Sequence, residues 1–297
     1  MDLPTSSPKK WDLIKKDREL LTMSILKNFY KTYLEHTIFG RGMKNCLEIA
    51  TAWRGHLARF SFPKNYLRRW KNDMLGNTYE PDVTGLFKKI VKPGMITVDI
   101  GAHIGYYTRL FSRLTGKHGR VLAFEADPEN FLLLQKNTGR LANVSLHNVA
   151  VSEKIGQIDF YHSEDKTGCH STIPADFRQK KLTVRATDLD SALQSAGDSR
   201  VDIIKMDIEG GEVLAIRGMQ HILAANQEIA LVTEFNPECL IQAKTQPVDF
   251  LKQINALGFK IFAITGSGLV PIRVTETSIY QNFLFGSHFV NIYDKEE

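Results

Sequence analysis

The chain has 297 residues, 43% of them hydrophobic, enough for one large α/β domain and an extension. Its net charge of +5 is uneven: residues 1–72 carry 15 basic against 6 acidic side chains, the remainder 23 against 27. Three scattered cysteines (Cys46, Cys169, Cys239) exclude a CxxC zinc site or a disulfide framework and suit a reducing cytoplasm; no stretch resembles a signal peptide or a membrane span.

Residues 1–10 are polar, with two prolines, and read as disordered. From Trp11 to about Leu34 the pattern is helical, with Leu21, Ile25, Phe29 and Tyr33 recurring every four residues. The basic residues between them suit a solvated face, and leave open contact with a membrane surface or with a second subunit in a homodimer. Residues 40–80 read as loops and a short helix, with Trp53, Phe60, Phe62, Tyr66 and Trp70 among arginines and glycines; this segment could form a lid. The expected division is a basic, mostly helical extension over 1–80 and a catalytic domain over 81–297.

A helix from Glu80-Pro81-Asp82 to about Ile90 and a turn at Lys92-Pro93-Gly94 precede the domain proper. Strand 96–100, helix 105–115, strand 120–125, helix 128–139 and strand 144–147 alternate, so the sheet is parallel with helices on both faces. Two alternating runs, 155–161 and 181–185, then flank a polar loop over 162–179, and a long loop in a compact domain is commonly functional. Helix 187–195, strand 201–206, helix 211–224 and strand 228–233 follow. Helix 247–257, strand 259–263 and strand 278–285 close the chain, the last two as an antiparallel hairpin. A mostly parallel, seven-stranded sheet with a reversed final strand results.

Ligands of such sheets bind beyond the carboxyl ends of the strands. The run Ile96-Thr97-Val98-Asp99-Ile100-Gly101-Ala102-His103-Ile104-Gly105 is a strand entering a glycine turn and then a helix, the layout of a nucleotide-binding unit. Glu125 ends the next strand, where a carboxylate can accept both ribose hydroxyl hydrogens of an adenosine. A dinucleotide site wants G-x-G-x-x-G; here His103 replaces the middle glycine and Asp99 precedes the turn. A carboxylate there repels a pyrophosphate and suits a cationic sulfonium. The site therefore reads as one for S-adenosylmethionine. Asn148 and Ala150, after the third strand, are placed to flank an adenine.

Asp207, Glu209 and Glu212 crowd a glycine turn that opens a helix, and Glu234 ends the fifth strand. Asp207, Glu209 and Glu234 are the candidate bases for an acceptor hydroxyl, while Glu212 reads equally well as a helix cap. His170 and Ser171, in the polar loop, are assigned to the acceptor. A divalent metal between Asp207 and Glu234 is compatible with this set, but nothing in the spacing requires one, and no metal ligands are assigned.

The chain resembles the FkbM family of S-adenosylmethionine-dependent methyltransferases. The matching stretches include VKPGMITVDIGAHIGYYTRL (91–110), GRVLAFEADPENFLLLQKN (119–137), DIIKMDIEGGEVLAIRGM (202–219) and IALVTEFNP (229–237). The resemblance implies a Rossmann-like class I methyltransferase fold, with Asp99, Gly101, Gly105, Glu125 and Asp207 binding or bordering the cofactor. His103, Tyr106 and Ala126, in the same turns, complete that set; the family usually has Asn at the first of these and Pro at the last. The implied activity is O-methylation of a sugar, glycan or secondary metabolite, in the cytoplasm, with no nucleic-acid partner. Rival readings are methylation of nitrogen or of a protein, a nicotinamide-dependent oxidoreductase, and a non-catalytic binding protein on the same fold.

Overall fold

The computed structural model describes residues 38–64, 66–162, 170–174, 180–198, 200–226, 228–272, 274 and 287–293. The helix expected over 11–34, most of the polar loop and the strand expected over 278–285 lie outside the described residues. The chain divides into two compact units at Leu57 and Ala58.

Where loops and a short helix were expected, residues 40–80 hold two helices. The first is α1 (Ile38–Ala58). The second, α2 (Arg68–Gly76), ends on Asn77 in the left-handed conformation, a common helix stop. The expected boundary at residue 80 moves to 58. Phe60, Tyr66 and Met74 are buried in one core cluster with Phe87 of α3 (Pro81–Ile90), so residues 58–80 belong to the catalytic unit.

The core alternates as expected: β1 (Ile96–Ile100), α4 (Tyr106–Thr115), β2 (Arg120–Phe124), α5 (Pro128–Thr138) and β3 (Val144–His147). β4 (Ala150–Val151), β5 (Gly156–His162) and β6 (Lys180–Thr187) form a separate three-stranded sheet in the order β4-β6-β5. Then come α6 (Leu189–Ala196), β7 (Ile203–Met206), α7 (Glu212–Arg217), α8 (Gln220–Ala225) and β8 (Ala230–Phe235). The helix expected over 211–224 is broken in two because Gly218 passes against the backbone at Ser152, where an added Cβ would lie 1.9 Å from a carbonyl oxygen. Asp190 then accepts hydrogen bonds from the His221 and Ile222 amides and starts α8. α9 (Pro237–Gln242), α10 (Pro247–Ala256), β9 (Phe259–Thr265), β10 (Gly268–Pro271) and β11 (Ser287–Tyr293) complete the described chain.

Among the described residues the principal sheet has eight strands, where seven were expected, in the order β10-β9-β11-β8-β7-β1-β2-β3. β10, not expected from the sequence, makes with β9 the hairpin that was expected of the 278–285 strand. The last described strand, β11, lies beyond the strand expected over 278–285; it inserts between β8 and β9, antiparallel to both. Central strands β1 and β7 are buried on both faces, as parallel strands covered by helices must be. One face packs Ile100, Leu122, Ile204 and Phe235 under α6–α8 and α10; the other packs Val121, Ile203 and Val232 under α3 and α4. The two layers fix the strand ends to which the functional side chains attach.

Candidate active site

The carboxyl ends of β1, β2, β7 and β8 open into a cavity of about 760 Å³. Gly101 (φ 74°) leaves β1 so close to β7 that an added Cβ would lie 1.9 Å from the Asp207 carbonyl oxygen. This approach requires glycine. The next residues turn through His103 at φ 51°, a left-handed conformation that Asn tolerates well and His less so. Gly105 (φ 93°) does not line the cavity: an added Cβ there would meet Thr138 and Leu134 of α5, so it lets two helices meet.

Glu125 sits at the tip of β2 and lines the cavity. Its two oxygens accept hydrogen bonds from the His103 amide at 2.7 Å and the Asp127 amide at 2.9 Å. Burial pushes its carboxyl up to about 7, against the pull of those amides. Asp127 caps α5 through the Glu129 and Asn130 amides and meets His162 Nδ1 at 2.7 Å, tying the small sheet to the β2 turn.

Asp99 was expected to face a cationic ligand; it is instead fully buried and absent from the cavity wall. It accepts a hydrogen bond from Thr108 Oγ1 at 2.6 Å and lies 3.5 Å from Lys205 Nζ, its register partner on β7. Lys205 also donates to the Gly101 carbonyl at 2.9 Å and lies 3.7 Å from Asp207. Burial pulls the Lys205 ammonium down, but Asp99 and Asp207 outweigh it and hold the group above its ordinary value. Asp99 therefore acts through Lys205, which braces the β1 and β7 turns together.

Two further assignments move in the same way. Tyr106 points into the core beside Thr84, its hydroxyl 3.1 Å from Thr84 Oγ1, and not into the cavity. Asn148 donates to the Glu125 and Ala126 carbonyls at 2.9 and 3.3 Å, so its amide braces the β2 turn from outside the wall. Gly101, His103, Glu125, Ala126, Ala150 and Asp207 all line the cavity. Phe124, Val149 and Val151, which no motif singled out, give it an apolar side.

At the other end, one oxygen each of Asp207, Glu209 and Glu234 falls within 4.8 Å of the others. Glu212 does not join them; it folds back to accept from the Ile208 and Gly210 amides at 3.1 and 2.8 Å, a structural cap that holds the turn. Burial, then the charges of Asp207 and Glu209, push the Glu234 carboxyl well above its ordinary range. His170 lines this end, stacked 4.1 Å from His162. Ser171, expected beside the acceptor, is spent on the turn: its hydroxyl donates to the Glu209 carbonyl at 2.7 Å. Its neighbour Thr172 lines the cavity instead. Residues 63–80 supply the remaining wall with Tyr66, Trp70, Tyr79 and Glu80; the density of aromatic residues there was the signal available in the sequence.

The chain matches the Methyltransferase FkbM domain over residues 99–261. It is 29% identical over 168 residues to the 2-O-methyltransferase NoeI of Sinorhizobium fredii, covering 52% of this chain and 68% of that one. It is 25% identical over 172 residues to the hexuronic acid methyltransferase AglP of Haloferax volcanii, covering 57% and 67%. Among solved structures, a SAM-dependent O-methyltransferase of Thermotoga maritima superposes with a TM-score of 0.40 at 16% identity, covering 74% of this chain and 67% of that chain.

Proposed function

The chain belongs to the FkbM family of methyltransferases, and we propose that it methylates a hydroxyl group of a sugar-containing acceptor with S-adenosylmethionine as donor. The observation that carries this reading is the shared cavity. Glu125 on its glycine-turn side and the carboxylates of Asp207, Glu209 and Glu234 border one space. The similarity to NoeI, a 2-O-methyltransferase by name, and to AglP, a hexuronic acid methyltransferase by name, supports the acceptor class.

The residues present fit the donor. Glu125 keeps lone pairs free beyond its two amide contacts and would accept from the ribose hydroxyls. Phe124, Val149, Ala150 and Val151 offer an apolar slot for the adenine. The negative end of the cavity suits a cation. When bound, S-adenosylmethionine supplies a methyl group already activated by positive sulfur. The protein's task is then to align the acceptor oxygen, exclude water and take one proton.

Burial and the neighbouring carboxylates raise the Glu234 carboxyl, which favours its protonated form and makes it the weaker choice of base. Asp207 has Lys205 at 3.7 Å, a cation that favours its carboxylate form, and is the better candidate. Asp207 accepts the proton that the acceptor oxygen loses as its bond to carbon forms. Positioned base catalysis contributes about 10²–10⁴-fold. Asp207→Asn should lower kcat within that range.

Incubation with methyl-labelled donor and a panel of glycosides, amines and proteins tests the reading. Label on glycoside hydroxyls supports it. Label confined to amines or proteins overturns the acceptor class, and failure of S-adenosylhomocysteine to bind in a calorimetric titration overturns the donor. Among the described residues no helix is long and apolar enough to cross a membrane; the scattered cysteines support placing the reaction in a reducing compartment such as the cytoplasm.

A further inference from the structure

The wall contributed by residues 63–80 has the composition of a surface for a ring that is apolar on one face and rich in hydroxyls at its edge. Tyr66 and Trp70 lie with ring centroids 5.4 Å apart and both line the cavity. Tyr66 is 7% exposed and packs against Phe62, at 6.0 Å, and His103, at 5.9 Å. Trp70 is 40% exposed, so its ring is the part of this wall open to an incoming molecule. Tyr79 is held edge-on by Tyr106 at 5.3 Å.

Across the cavity, two buried polar atoms lack a hydrogen-bond partner: Glu234 Oε2 and Thr172 Oγ1. Both residues line the cavity. Buried polar atoms are normally satisfied, so a ligand that fits here brings hydroxyls in more than one direction. A phenol offers one; a pyranose ring offers several and also presents a C–H face to an aromatic wall. The charge of the lining narrows the choice. Among the described lining residues, Lys64 is the basic side chain set against Glu80, Glu129, Asp207 and Glu209, with Glu125 and Glu234 raised by burial toward their neutral forms. A carboxylate on the ligand would add to that excess of negative charge.

We propose that the acceptor is an uncharged sugar ring whose C–H face rests on Tyr66 and Trp70 and whose hydroxyls reach Thr172 and Glu234, and that hexuronic acids are excluded. This rests on the hydroxyl-methyltransferase reading and sharpens it, because one of the chain's relatives carries a hexuronic acid in its name.

The sequence contains three tryptophans, Trp11, Trp53 and Trp70, so a Trp11→Phe/Trp53→Phe protein reports on Trp70 alone. With S-adenosylhomocysteine present, methyl glucoside, methyl fucoside and methyl N-acetylglucosaminide are titrated against its fluorescence, beside methyl glucuronide and phenol. Quenching by at least one neutral glycoside, with glucuronide at least tenfold weaker, is the expected result. In turnover, Trp70→Ala should raise KM for that glycoside about tenfold or more with unchanged S-adenosylhomocysteine affinity, and Trp70→Phe should recover part of the loss. Glucuronide or phenol binding as well as the neutral glycosides, or a KM indifferent to Trp70→Ala, overturns the proposal. So does silence toward every neutral glycoside. If S-adenosylhomocysteine binds in that case, the methyltransferase reading stands without this acceptor; if it does not bind either, both fall.

Discussion

The two ends of the cavity are built in opposite ways. At the donor end, the β1 and β2 turns are short, contiguous and locked by backbone contacts: Gly101 against Asp207, Glu125 on the His103 and Asp127 amides. At the acceptor end, the aromatic wall comes from residues 63–80, well outside the matched domain at 99–261. On the proposed reading this end takes the donor, which is the same molecule for every acceptor, and its polar groups are organised before anything binds. The acceptor end presents exposed Trp70 and the partnerless Oε2 of Glu234, groups that a ligand has to complete.

If the donor end is rigid because Lys205 braces it, removing that brace is the harshest test. Lys205→Met leaves the Asp99 carboxyl buried and without its ionic partner, and stranding one member of a buried pair costs about 3–5 kcal/mol. Chemical denaturation should show a loss of that size, and Asp99→Leu/Lys205→Met should regain part of it. A single variant as stable as the parent would mean that the β1 and β7 turns hold without the pair. Glu125→Gln comes next. It keeps the shape but loses the charge, and hydrogen bonds to charged groups contribute about 1.5–3 kcal/mol. Affinity for S-adenosylhomocysteine should fall about 10–100-fold by calorimetry, with the fold intact. The acceptor KM should stay within about twofold of the parent if the two ends are independent.

These two positions also show how far the sequence could be read. The glycine turn, Glu125 and the carboxylates of KMDIEGGE were legible because each sits at a strand end, where chain order predicts position. Asp99 was misread for the same reason. Its place beside the glycines suggested a ligand contact, but strand alternation turns it to the face shared with Lys205 and Thr108. Only the register of β1 on β7 reveals that. The pairing of Ser171 with Glu209, 38 residues apart, carries no sequence signal at all. The extra strand β10 was missed because four residues, Gly268–Pro271, show too little alternation to be distinguished from a loop.

Protonation separates binding from folding. Burial lifts both Glu125 and Glu212 to about 7 from an ordinary 4.5. The folded state keeps these protons where the unfolded chain has released them. The stabilisation is therefore complete below about pH 4.5 and is lost as pH rises through about 7. If Glu125 takes the ribose hydroxyls as proposed, binding favours its ionised form and runs the other way: S-adenosylhomocysteine affinity should rise about tenfold from pH 6 to pH 8. Glu212→Gln should flatten the stability profile over this range and leave the slope of affinity unchanged. Parallel slopes for the two properties in the parent would show that Glu125 titrates elsewhere.

The gentlest test asks whether bracing residues and contacting residues at the donor end are different sets. Asn148 touches the Glu125 and Ala126 carbonyls and does not line the cavity. Its amide is neutral, and a hydrogen bond of that kind contributes about 1 kcal/mol net. Asn148→Ala should therefore weaken S-adenosylhomocysteine only about fivefold, and the loss should vanish in a Glu125→Gln background, where the braced carboxylate is already gone. Additive losses in the double variant, or a hundredfold effect from Asn148→Ala alone, would make Asn148 a direct contact. The donor end would then extend past the β2 turn to the third strand, and the division between the two ends would lie one strand further out than the cavity wall indicates.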